Sequence, residues 1–155
     1  TLFALVLVIQ PAPWYTPQYL IPLLGMVLGN TMNGVAIAME RLTTGAKSDR
    51  ANIEAQLMLG RPTREAIRPL RIEALRAGFI PIINGMAAAG IVSLPGMMTG
   101  QILAGDPPFE AAKYQILIMF LIAGGTGFGA IVSVELASRR LFDTRQRLRL
   151  DRLRA

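Results

Sequence analysis

Gly90-Ile-Val-Ser-Leu-Pro-Gly-Met-Met-Thr-Gly-Gln-Ile-Leu-Ala-Gly105 is the stretch on which the reading of this chain turns. It carries no charge, and neither do the residues before it back to Ala77, which makes 29 uncharged residues. One straight membrane-spanning helix needs about 20. Pro95-Gly96 falls inside the run, where a missing N–H and a permissive backbone break a helix. The stretch therefore predicts a span, a break and a short helical piece through Gly105. Inside a bilayer such a break survives only where it is buried in protein or lines a watery cavity. Ser93, Pro95, Gly96, Met97, Thr99 and Gln101 are thus candidate lining of a translocation path, with Asn30, Asn33 and Asn84 from neighbouring spans. The plainer alternative is one span and an ordinary external turn, with Met97 and Met98 as flexible packing.

The rest of the chain agrees with a membrane setting. Of 155 residues 52% are hydrophobic, and three long uncharged runs do not fit a soluble domain of this size. Thr1 to Met39 has no charged side chain. Gln10-Pro-Ala-Pro-Trp-Tyr-Thr-Pro-Gln-Tyr19 divides that run, and Trp14, Tyr15 and Tyr19 suit the headgroup level. Leu2 to Ile9 read as the tail of a span already under way, so the chain is expected to be the C-terminal part of a longer polypeptide. The next span covers Leu20 to Met39 and holds Gly25-x-x-x-Gly29, a pattern that lets helices approach closely. Its amides can tie helices together as readily as line a pore. A last span, uncharged over the 21 residues Tyr114 to Val134, follows Asp106-Pro-Pro-Phe-Glu110, which reads as a helix start capped by Asp106. Close packing accounts for Gly124, Gly125, Gly127 and Gly129. Glu135, at the end of that span, is read as interfacial.

Residues 40–76 change character, with eight basic and five acidic side chains at helical spacing among Ile53, Leu57, Ile67, Leu70 and Leu75. The pattern predicts surface-lying amphipathic helices, interrupted at Gly60 with Pro62 and restarted or kinked at Pro69. The tail, 138–155, adds seven arginines in a Leu-spaced amphipathic pattern. Together they hold 15 of the 16 basic residues, so loop and tail are assigned to the cytoplasm. This placement also accounts for the net charge of +6 without nucleic acid. The expected architecture is all-α: one polytopic membrane domain over 1–155, with three complete spans, one partial span, a helix–turn–helix at 40–76 and a broken or re-entrant segment near Pro95-Gly96.

Chemistry is bounded by what is missing. With no cysteine and no histidine, disulfides, thiolate metal sites and imidazole ligation or catalysis are excluded within this chain. No phosphate-binding Gly-x-x-x-x-Gly-Lys-Ser/Thr occurs, so the chain is not read as an ATP-hydrolysing enzyme. Hard iron prefers carboxylate oxygen while Met97 and Met98 are soft, and adjacent residues on a helix point about 100° apart.

Glu54-Ala55-Gln56-x-x-x-Gly60 resembles the Glu-Ala-Ala…Gly motif of ABC importer permeases, whose helix–turn–helix docks on the ATPase subunit. Glu54, Ala55, Gly60, Arg61, Thr63 and Glu65 are the coupling residues which that resemblance implies. A more specific likeness is carried by Ser93 to Gly105, Asp106-Pro and Ala112-Lys-Tyr-Gln-Ile116. Pro22-Leu-Leu-Gly-Met-Val-Leu-Gly-Asn30, Leu59-Gly60 and Arg76-Ala-Gly-Phe-Ile-Pro81 belong to the same pattern, in order. These resemble the iron-export ABC permease family (FetB-like proteins), which includes plant aluminium-tolerance half-transporters. The resemblance implies a homodimer of permeases in the bacterial inner membrane. Two separate ATP-binding subunits would carry ATP-Mg, and this chain no cofactor. It departs at Asn84 and Ala87, where the family carries an acid and, three on, a lysine; that bears on the substrate. A secondary transporter, or a membrane scaffold docking a cytoplasmic partner, are the other classes that fit.

Overall fold

A computed structural model describes residues 17–89, 96–143 and 146–150, with side chains from Ile21. The helices are α1 (Pro17–Ser48), α2 (Arg50–Met58), α3 (Thr63–Ala66), α4 (Arg68–Ala88), α5 (Gly96–Leu103) and α6 (Pro108–Arg140). The all-α expectation agrees with these elements. The partial span at 2–9, the aromatics Trp14 and Tyr15, and the side chain of Tyr19 lie outside the described residues, as do Ser93 and Pro95.

Among the described residues two helices are long and apolar enough to cross a bilayer, over Ile21–Ser48 and Pro108–Arg140. In α6, Ala111, Gln115, Ile118, Ile122, Thr126, Ala130, Val134 and Ser138 are buried at three- and four-residue spacing. The opposite face shows Ile116, Phe120, Phe128, Val132 and Leu136 exposed. A water-facing helix would carry polar residues there. An exposed stripe of large apolar side chains from 116 to 136, about 30 Å at the helical rise, has the thickness of a hydrocarbon core.

Helix boundaries differ from the sequence reading in two places. α1 does not stop at Met39 but runs nine residues further, so Glu40, Arg41 and Lys47 ride on its last turns. α6 begins at Pro108, which makes Pro107, not Asp106, the residue before its first turn. Beyond Arg140 the tail does not continue as helix over 141–143. Phe142 bridges to Leu148, and the Arg149 N–H donates to the Leu141 carbonyl at 2.8 Å.

The chain forms two compact units. One holds the chain up to Met32 with Pro81–Gly127, the other Asn33–Ile80 with the chain from Phe128 on. In the second unit the core is continuous: Ala38, Leu42 and Ala46 of α1 meet Ile53, Ala66, Ile67, Leu70 and Ala74, with Ala130, Val134 and Leu141. The charged loop therefore turns its apolar side into protein. Small residues permit this approach. A Cβ on Gly78 would lie 2.8 Å from the Gly34 carbonyl oxygen and 2.9 Å from the Ala38 Cβ, so α4 touches α1 at backbone level. Gly25 and Gly29, by contrast, have no atom of the described residues within 4 Å of a built Cβ. Among the described residues, the close-approach pattern read at Gly25-x-x-x-Gly29 meets no neighbour.

Gly78→Val is accordingly expected to destabilise the protein by at least the about 1–3 kcal/mol typical of overpacking, because backbone cannot move aside. Gly85→Val, at a position with open space, is the control. Denaturation of both variants in detergent checks it; equal midpoints would contradict the contact.

Candidate functional site

The loop's geometry is set by one glycine. α2 ends in a Schellman turn: the Arg61 N–H donates to the Gln56 carbonyl at 3.1 Å and the Gly60 N–H to the Leu57 carbonyl at 3.0 Å. Gly60 sits at φ +83°, a left-handed conformation that side chains resist. Pro62 then precedes α3, its carbonyl accepting from the Glu65 and Ala66 N–H groups. Glu54 is held on the α2 surface by Arg50, whose Nε donates to its Oε1 at 2.8 Å. Ala55, Arg61 and Glu65 are exposed, and Thr63 is half-buried.

Two neighbours that are not among those coupling residues stand well out from the loop. Met58 and Leu59 are each 82% exposed at the tip of α2, while Ile53 on the same helix is buried. Two large apolar side chains side by side on a charged loop mark a contact surface. The available signal was their position directly before Gly60, where helical periodicity places no core residue.

Ion pairs tie this loop to the long helices. Arg41 Nη2 donates to Glu73 Oε2 at 2.8 Å, joining α1 to α4. Arg71 of α4 pairs with Glu135 of α6, and Arg139 Nε donates to the other oxygen of Glu135 at 2.9 Å. The Arg71 and Glu135 side chains are only 20% and 25% exposed, so each depends on the other more than a surface pair does. Glu135, read as interfacial, is thus the anchor that holds the loop's second arm.

The uncharged stretch is not one helix: α4 ends at Ala88 and α5 starts at Gly96. α5, at eight residues about 12 Å long, is too short to cross a bilayer. It closes in a second Schellman turn. Gly105 lies at φ +99°, and the Asp106 N–H donates to the Gln101 carbonyl at 3.0 Å. In the same unit Met86, Met98, Ala112, Gln115, Met119 and Phe120 line a cavity of about 370 Å³. Met98 faces it and Met97 does not.

Unpartnered polar atoms concentrate in this unit. Thr31 Oγ1, Gln101 Oε1, Gln115 Oε1 and Thr126 Oγ1 are buried without a hydrogen-bond partner among the described residues. Buried oxygens of this kind cost stability, about 1–3 kcal/mol each, and call for a reason. Gln115 and Thr126 were missed by sequence reasoning; their signal was polarity inside the run Tyr114–Val134.

The remaining path candidates are not brought together. Asn30, Asn33 and Asn84 are exposed, and none lines the cavity. Asn30 Nδ2 donates to the Met26 carbonyl of its own helix at 2.8 Å. Gly96 is exposed, with no atom of the described residues within 4 Å of a built Cβ. Thr99 is half-buried and engaged. Among the described residues no three carboxylates are grouped to hold a metal ion.

Comparison with known proteins adds a family. The model described as "Uncharacterised protein family (UPF0014)" matches residues 1–142. A UPF0014 membrane protein of Synechocystis is 48% identical over 94% of this chain and 56% of its own length. The Probable iron export permease protein FetB of Escherichia coli is 32% identical, covering 96% of this chain and 58% of that protein. Protein ALUMINUM SENSITIVE 3 of Arabidopsis thaliana is 35% identical over 88% of this chain and 49% of its own length. The chain thus spans about half the length of these curated relatives. No solved structure matches it significantly.

Proposed function

The chain belongs to the UPF0014 family, and from that premise we propose that it is part of the membrane-spanning permease subunit of an ABC exporter. A separate ATP-binding subunit docks on the 40–76 loop and drives metal efflux, with iron as the substrate. The observation that carries this reading is the tip of α2. Met58 and Leu59 project from a turn fixed by Gly60, on a loop whose opposite side is built into a core and ion-paired to α1 and α6. An exposed apolar knob on a rigid mount is what a docking groove requires if it is to transmit rigid-body motion. Arg71–Glu135 and Arg41–Glu73 would pass that motion to the spans.

The path runs through the first unit, where α5 follows the break and the buried oxygens of Gln101 and Gln115 stand unpaired. Transport needs weak, transient contacts, so exposed or orphaned amide and hydroxyl oxygens suit it better than a closed ligand set. The iron assignment is supported by the name of the Escherichia coli relative. The open Gly25 and Gly29 face of α1, which also presents exposed Met32, Asn33 and Ala36, supports packing against a second permease copy. The loop and tail are placed in the cytoplasm of a bacterial inner-membrane protein, and ATP-Mg in the partner.

The test is co-purification. A tagged form of the intact protein, expressed with a separately encoded ATP-binding subunit of the same organism, is expected to retain that subunit through detergent extraction. Isolation of the membrane protein alone, with the ATP-binding subunit left soluble, would contradict the proposal.

A further inference from the structure

A second cavity, of about 380 Å³, opens in the unit that carries the loop. Arg64, Arg71 and Arg139 line it, with Glu135, Asp143 and Phe142. Its charges do not cancel. Glu135 is answered by Arg71 and Arg139, and Asp143 by Arg149, which is outside the lining, at 3.6 Å. Arg64 has no carboxylate within ion-pair distance among the described residues. The lining thus holds three guanidinium groups against two carboxylates, and Arg64 is the one left over. One donor is also left over inside: the Nε of Arg71 is buried and has no hydrogen-bond partner among the described residues. A buried guanidinium N–H without an acceptor calls for one.

The cavity's depth is set by the same helix. The exposed apolar stripe of α6 ends at Leu136, and Ser138 and Arg139 follow within one turn. That places the arginines at headgroup level, where basic pockets beside membrane helices meet lipid phosphates. Planar guanidinium groups pair with phosphate oxygens in a fork that a lysine cannot match. The volume exceeds that of a lone ion and suits an anion with an organic body. We propose that this cavity is a binding site for a phosphate ester. Arg64 and Arg139 hold the phosphate oxygens, the Arg71 Nε–H completes the donors, and Phe142 contacts the attached carbon skeleton. This inference stands independently of the exporter reading.

The experiment measures thermal midpoints of the intact protein in a nonionic detergent. The probes are dioctanoyl phosphatidylglycerol, dioctanoylglycerol (the same tails without phosphate) and glycerol 3-phosphate. Phosphatidylglycerol is expected to raise the midpoint saturably, with half-saturation at least tenfold below any effect of dioctanoylglycerol. Arg64→Gln removes an exposed charge outside the Glu135 pair, so the fold is kept, and it is expected to raise the half-saturation at least tenfold. Arg71→Lys, which keeps the charge but lacks Nε–H, is expected to weaken binding as well. A matching shift with glycerol 3-phosphate, lost in Arg64→Gln, identifies a soluble phosphate ester as a ligand; a shift with the lipid alone identifies a headgroup. Equal shifts with phosphatidylglycerol and dioctanoylglycerol and none with glycerol 3-phosphate would overturn the site. So would unchanged phosphate responses in Arg64→Gln.

Discussion

Leu59→Glu is expected to release the ATP-binding subunit while leaving the membrane protein folded. The side chain is 82% exposed and outside the core, so replacing it costs the free protein little. In the docked state the same change would bury a carboxylate in an apolar groove. Anchors at the centre of an interface are worth about 2–4 kcal/mol, which is roughly 30- to 1,000-fold in affinity. Met58→Glu is expected to act in the same direction, and the double variant to abolish co-purification. Gly60→Pro separates docking from transmission. Proline cannot adopt φ +83° and removes the N–H that bonds Leu57, so the angle between the two arms changes. Stimulated ATP hydrolysis is expected to fall more steeply than partner retention in that variant, and in Glu54→Arg, which also reverses the pair with Arg50. Normal turnover in Leu59→Glu and Gly60→Pro would mean that the motif likeness at Glu54 to Gly60 is accidental.

The second large effect is expected at Gly96. It is the first residue of α5, exposed, with no atom of the described residues within 4 Å of a built Cβ. Gly96→Leu therefore meets no clash with the described residues, yet puts four carbons into the space beside the break. Transport is expected to drop at least tenfold while insertion and partner binding persist. Thr99→Cys, one turn along the same short helix, is expected to react with a small water-soluble thiol reagent at a rate that changes on ATP trapping. An inert Thr99→Cys in every state, with normal transport by Gly96→Leu, would reduce α5 to packing. The path would then have to be sought elsewhere in the unit.

The legible parts of this chain were those governed by uncharged length and by glycine or proline. The interruption of the long stretch, the turn at Gly60 and the restart near Pro69 all follow from backbone rules that act locally. The end of α1 was misread because charge marks where the bilayer ends, not where a helix ends; α1 continues through the weak helix formers Thr43, Thr44 and Gly45, with Leu42 and Ala46 packed into the core. Gly25 and Gly29 satisfied a spacing rule, but the rule does not say which glycines meet a neighbour. Gly78, which does, sits in the less conspicuous Ala74-x-x-x-Gly78. The Arg71–Glu135 pair joins residues 64 apart. Nothing in either local sequence selects the partner. Met58 and Leu59 were legible as apolar letters beside Gly60, but how far they are exposed is set by packing. The four unpaired oxygens were legible as polar letters but not as orphans, since partnership is a property of packing.

ATP-driven iron movement tests the central claim most directly. Vesicles would contain the intact protein with its ATP-binding subunit, oriented so that the 40–76 loop meets external ATP. The account predicts ATP-dependent accumulation of iron inside these vesicles, absent without the ATP-binding subunit and lost in Leu59→Glu. Iron movement that proceeds without the ATP-binding subunit on an ion gradient alone, or no movement of metal with both subunits present and ATP being hydrolysed, would contradict it.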